Sequence, residues 1–169
     1  VSIIHKNNVL PVTGGQFLDS AKEVAGDYET RYEDVLVDAA ALYLVKEPER
    51  FEVLLTTNLF GDILSDLAAG LIGGLGLSPS ANIGDEHGLF EPVHGTAPDI
   101  AGKEIVNPTA AILSASYMLN FLGKPGPAEN LESAVESTIA AGDTTPDLGG
   151  DMGTMDMAQA VLARVYSNE

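Results

Sequence analysis

Cysteine is absent from all 169 residues. Disulfides, thiolate nucleophiles and cysteine-type zinc sites are excluded together, so any site must be built from oxygen and imidazole groups. Basic residues are scarce too, with 8 Lys and Arg against 25 Asp and Glu. Binding nucleic-acid phosphates needs clustered Lys and Arg, so nucleic acid is not an expected partner. There is no uninterrupted apolar span of membrane length and no basic leader ahead of a cleavage site. The expectation is a cytoplasmic chain with no membrane partner.

What is present reads as globular. Apolar residues make up 45% of the chain, and no segment is of low complexity or internally repeated. The acidic residues are spread without any run of five or six, which leaves two readings. One is an ordinary acidic soluble surface; the other is a salt-adapted protein whose carboxylate-rich, lysine-poor surface stays hydrated. Val1 enters directly into a β-branched run, so this chain is expected to be part of a longer one.

Along the chain, strands are expected at Val1–Ile4, 29–37, 51–57 and 89–93. Helices are expected from Gly14-Gly15 to about Ala25, from Ala39 to Lys46 with Asp38 capping or opening it, and from Gly61 to Gly73-Gly74. Three more are expected at 108–123, 128–141 and 154–166. Strands alternating with helices give an α/β class. The stretch from Gly73 to Asn107 reads as mostly loop, too long for an idle connection, and long loops of this kind usually bind something.

Asp62 and Asp66 lie four residues apart in an apolar helical pattern, with no Lys or Arg within a turn. Like charges at this spacing repel, so the pair is either a solvated helix face or a site for a hard divalent cation, with Asp38 as a possible third carboxylate. Lys6, at the end of an apolar strand, is either an exposed lysine or a proton-transfer group. His94-Gly95-Thr96-Ala97-Pro98-Asp99 is either an ordinary turn or a loop whose small residues let backbone N–H groups approach a phosphate. No G-x-G-x-x-G fingerprint occurs, and His94 lacks a second histidine at zinc-ligand spacing.

Jointly, NLFGDILSDLAAGLIGGLGLSPSAN, FEPVHGTAPDIAGKEIVNPTAAILS, HKNNVL, VDAAAL and PDLGGDMGT resemble segments of the β-decarboxylating dehydrogenases. That family acts on 3-isopropylmalate, isocitrate and homoisocitrate, and the likeness runs through nearly the whole chain. The resemblance implies the C-terminal half of a two-domain α/β fold, with 1–72 in a dimer-forming, metal- and substrate-binding domain and 73–169 in a cofactor-binding domain. It makes Lys6 and Asp38 catalytic, Lys6 handling protons during hydroxyl oxidation. Asp38, Asp62 and Asp66 become ligands of Mg2+ or Mn2+.

The resemblance also places Asn8 near the nicotinamide end of a dinucleotide, and Glu91, His94, Gly95, Ala97, Asp99 and Asn107 among its other contacts. NAD is the implied cofactor, because Asp99-Ile100 stands where NADP-using relatives carry Lys-Tyr and a carboxylate repels a 2'-phosphate. The implied reaction is oxidative decarboxylation of a dicarboxylic 2-hydroxy acid. 3-Isopropylmalate, leading to 2-oxo-4-methylpentanoate in leucine biosynthesis, is expected first, with isocitrate or homoisocitrate as the alternative. Homodimers or larger homo-oligomers are implied, Lys6 and Asp38 reaching a site completed by Asp62 and Asp66 of another chain. The family's substrate-gripping arginines and its enol-protonating tyrosine have no counterpart here: Arg31, Arg50 and Arg164 do not match the one, nor the five tyrosines the other. The 169 residues alone are therefore expected to be catalytically silent.

Overall fold

The computed structural model describes residues 1–167, which divide into two compact units, one spanning Val1–Leu71 and the other running from Ile72. In the first, β1 (Ser2–His5) is the centre of a three-stranded parallel sheet, flanked by β2 (Glu33–Leu36) and β3 (Leu54–Thr56). Ser2 pairs with Glu33 on one side and Leu54 on the other. All four β1 residues are buried, as expected of a short apolar strand with a neighbour on each edge.

Helix α1 (Pro11–Asp27) carries the chain from β1 to β2, and α2 (Val37–Lys46) leads on from β2. The first starts three residues before Gly14-Gly15, because Pro11 has its φ already set for a first helical turn and has no N–H to satisfy. Gly14 lies inside the helix for a different reason: a Cβ there would stand 3.2 Å from the Asn7 Cα. The strand expected at 29–37 shrinks to four residues, since Glu29 turns the chain at a φ of 51°. Asp38 sits in the first turn of α2 rather than capping it.

Helix α3 (Asn58–Leu71) begins directly after β3, earlier than Gly61. Its Leu64 joins Ile4, Val35, Ala40 and Leu44 in the core of this unit. Burying a leucine of this kind stabilises by roughly 1.5–3 kcal/mol. Gly73 and Gly74 follow at φ of 119° and 126°, a backbone that ends any helix.

In the second unit the long stretch after Gly74 is mostly loop, as expected, but it holds two strands where one was expected. Strands β4 (Pro79–Ile83) and β5 (Gly88–Pro92) form an antiparallel hairpin, with Pro79 opposite Pro92 and Ile83 opposite Gly88. The hairpin packs on α4 (Thr109–Phe121), where the Phe90 and Phe121 ring centroids are 5.6 Å apart. Gly123, at a φ of 72°, closes α4. Helices α5 (Pro125–Ala140) and α6 (Thr154–Ser167) pack together around Ala134, Val135 and Val161. Pro125 again marks the true helix start, ahead of Ala128. Among the described residues no helix is long and apolar enough to cross a membrane.

Candidate active site

Each candidate residue of the first unit follows the carboxyl end of a parallel strand. Lys6 and Asn8 come after β1, Asp38 after β2, and Asp62 and Asp66 lie on the helix after β3. In α/β sheets this rim is where ligands bind, because the loops and helix starts there are free to vary around a fixed frame. The Lys6 loop is firmly tied. Its carbonyl accepts from the Val9 N–H at 3.0 Å and the Leu10 N–H at 2.8 Å, while the Asn7 N–H donates to His5 Nδ1 at 3.3 Å.

Lys6 Nζ donates to Asp38 Oδ1. Lys6 is 23% exposed and Asp38 66%, so the pair sits at the rim with the carboxylate facing outward. The lysine bond, followed by the Asp38 backbone amide, holds the Asp38 carboxyl below the usual aspartate range. Asn8 is exposed at the tip of the same loop.

Asp62 and Asp66 are exposed on one face of α3 together with Leu59 and Ile63, both more than half exposed. Asp38 shares a face of α2 with Leu42 and Val45, each 55% exposed. Carboxylates and bare aliphatic side chains thus alternate on two neighbouring helices. Among the described residues no group of three or more His, Asp or Glu side chains is placed to hold a metal ion. Asp38, Asp62 and Asp66 are therefore not gathered into one cluster within this chain. As hard oxygen donors the three carboxylates suit Mg2+ or Mn2+.

In the second unit, Glu91 lies exposed on β5, and His94, Gly95, Ala97 and Asp99 follow on the loop after it. His94 Nδ1–H donates to the Gly95 carbonyl at 3.0 Å. Ala97 holds a φ of 41°, unusual for a residue with a Cβ, and its carbonyl accepts from the Ile100 N–H at 3.0 Å. Non-glycine residues in this region carry backbone strain and cluster at ligand-binding turns. Asn107, by contrast, is buried: Oδ1 accepts from the Thr109 N–H at 3.0 Å, and Nδ2 donates to Asp147 Oδ2 at 3.2 Å. It thus accepts from the first residue of α4 while joined to a turn 40 residues away. Asp147 had no mark in the sequence beyond its place in the PDLGGDMGT segment.

The model of the family described as isocitrate/isopropylmalate dehydrogenase matches residues 1–161. This chain belongs to that family. It is 58% identical over 98% of its length to the isocitrate/homoisocitrate dehydrogenase of Thermus thermophilus. It is 57% identical over 98% of its length to the 3-isopropylmalate/3-methylmalate dehydrogenase of Methanocaldococcus jannaschii. The isocitrate dehydrogenase of Methylococcus capsulatus superposes with a TM-score of 0.92 at 52% identity, covering 97% of this chain and 50% of that one. The chain spans about half the length of the curated relatives it matches. It is thus an α/β half of an isocitrate/isopropylmalate-type dehydrogenase, carrying the rim that follows the three parallel strands and the loop after β5.

Proposed function

We propose that the full-length protein is an NAD-dependent, divalent-cation-dependent dehydrogenase that oxidises and decarboxylates 3-isopropylmalate. The observation that carries this reading is the placement of Lys6, Asp38, Asp62 and Asp66 after the carboxyl ends of three adjacent parallel strands. Lys6, as the neutral amine, takes the proton of the substrate hydroxyl, directly or through a water, and Asp38 holds the ammonium that results. Asp38, Asp62 and Asp66 hold Mg2+ or Mn2+. A cation held there would supply Lewis-acid polarisation of the substrate's oxygens, and a bound NAD would supply the hydride acceptor. Asp99 disfavours the 2'-phosphate of NADP by like charge.

The site is completed between two copies of the chain. Leu42 and Val45 beside Asp38, and Leu59 and Ile63 beside Asp62 and Asp66, supply apolar surface next to the carboxylates, which supports a homodimer in which Lys6 and Asp38 of one chain meet Asp62 and Asp66 of the other. The 169 residues by themselves are proposed to be inactive.

A second reading, isocitrate or homoisocitrate as substrate, is favoured by the Thermus relative's name. Steady-state kinetics of the full-length protein with 3-isopropylmalate, isocitrate and homoisocitrate, each with NAD and NADP and with or without EDTA, tests both. Highest kcat/KM for 3-isopropylmalate with NAD, abolished by EDTA, is the expected result. Turnover of none of the three substrates would sink the enzyme reading, and a preference for isocitrate or homoisocitrate would replace the substrate.

A further inference from the structure

The carboxyl-terminal end of the candidate cofactor loop is held by a residue far away in sequence. Thr154, the first residue of α6, donates twice: its backbone N–H to the Glu104 carbonyl at 2.8 Å, and its hydroxyl to the Val106 carbonyl at 2.6 Å. The two acceptors flank Ile105 and stand directly before Asn107. Glu104 itself has a φ of 55°, a conformation costly for a side-chain-bearing residue unless its surroundings fix it. A third bond, from Asn107 Nδ2 to Asp147, ties the next residue to the turn just ahead of α6. Gly76 closes the cluster from another side, since a Cβ there would lie 3.0 Å from the Asn107 Cβ.

The other end of the loop is tied differently. Its start is anchored by the Val93 N–H, which donates to the Ser78 carbonyl ahead of β4, and the backbone bonds that follow, Ile100 to Ala97 and Lys103 to Ile100, are local. Its order at the Glu104–Asn107 end thus rests on Thr154 and Asp147. Fixing a loop before a ligand arrives lowers the entropy lost on binding, so a bond of this kind appears in affinity even where it never touches the ligand.

We propose that Thr154 is a positioning residue for dinucleotide binding, setting the Glu104–Asn107 end of the loop through its hydroxyl. The inference rests on the reading that this loop takes NAD. The side chain acts through Val106 and is given no contact with the cofactor.

The test is NAD affinity of the full-length protein by titration calorimetry, for the wild type, Thr154→Val and Thr154→Ser. Valine keeps the shape and the backbone N–H but removes the hydroxyl; serine restores the hydroxyl. Thr154→Val is expected to weaken NAD binding by roughly fivefold to tenfold, the scale of one net hydrogen bond. The KM for the hydroxy acid and kcat at saturating NAD stay within about twofold of wild type, and Thr154→Ser binds NAD like wild type. Wild-type affinity in Thr154→Val overturns the inference, as does an equal loss in every kinetic constant. Amide exchange in the unsubstituted protein gives an independent check. NAD should slow exchange at the Thr154 N–H together with residues 95–106, and protection confined to the loop overturns the proposal. A wild type that takes up no NAD fails the cofactor reading itself, whereas uptake with no difference between variants fails this inference alone.

Discussion

Lys6 Nζ donates to Asp38 Oδ1 across the carboxyl ends of two neighbouring parallel strands. The strands fix the backbone on both sides, so the pair is held in place by the sheet. Because Asp38 is largely exposed, its ion pair adds little to stability. Asp38→Asn should leave the melting temperature nearly unchanged while kcat/KM falls on the order of 100-fold or more, as for other charged groups aimed at a reacting centre. Kinetics and calorimetry on the full-length variant check this; a loss below tenfold would remove Asp38 from the proposed site.

If each site draws on two chains, defects on opposite sides of it should complement. Lys6→Ala and Asp66→Asn proteins, each inactive alone, are expected to recover roughly a quarter of wild-type activity when co-refolded in equal amounts, since half the dimers are mixed and each has one intact site. No recovery above the separate proteins would place the residues in sites within single chains.

Cofactor preference offers a separate check. Asp99 is exposed on the loop after β5, and in the proposed cofactor site its carboxylate would oppose a 2'-phosphate with like charge. Asp99→Lys with Ile100→Tyr should shift the ratio of kcat/KM for NAD over NADP towards NADP by on the order of tenfold or more. An unchanged ratio would mean that this loop does not read the ribose.

The sheet's other rim predicts an acid response. Glu33 accepts from Arg50 at 2.7 Å and from the Ser2 hydroxyl at 2.9 Å, and these bonds, Arg50's first, hold its carboxyl below the ordinary value of 4.5. A carboxyl depressed in the folded state contributes stability that is fully present above its unfolded value and is lost as pH falls through the folded one. Asp34, paired with Lys22, and Asp38, paired with Lys6, shift in the same direction from 3.8. Urea midpoints should therefore fall below about pH 4.5, and less steeply in Glu33→Gln. Parallel curves for variant and wild type would contradict the assignment.

Charge balance makes a final prediction. Lys6, Lys22, Arg50 and Arg164 are each engaged with a carboxylate, yet acids outnumber bases by 25 to 8. Screening the remaining repulsion should raise the melting temperature between about 0.1 M and 1 M KCl. A flat profile would favour the plain acidic surface over salt adaptation.

Much of the fold was legible because its signals are local. The buried run Ser2–His5, the apolar face of α3 and the Pro108–Gly123 helix announce themselves by periodicity and by Pro and Gly at their ends. β4 did not: Pro79-Ser80-Ala81-Asn82 has no apolar alternation and becomes a strand by pairing with β5. Gly14-Gly15 misled because glycine usually marks helix ends, whereas here Gly14 allows close approach to Asn7. Candidate site residues were found through acidic spacing and family likeness. Thr154 and Asp147 were not, since a bond to a carbonyl 48 residues away, or to an amide 40 residues away, leaves no pattern in the chain.

The three parallel strands also divide the labour of mutation. Ser2, Glu33 and Arg50 cluster where β1 and β2 begin, while Lys6, Asp38, Asp62 and Asp66 follow where the strands finish. Substitutions that toughen the protein against heat or acid can be sought at the starting edge with least interference with turnover. Laboratory selection for thermal resistance should accordingly collect its changes on one rim of the sheet, and selection for a new substrate on the other.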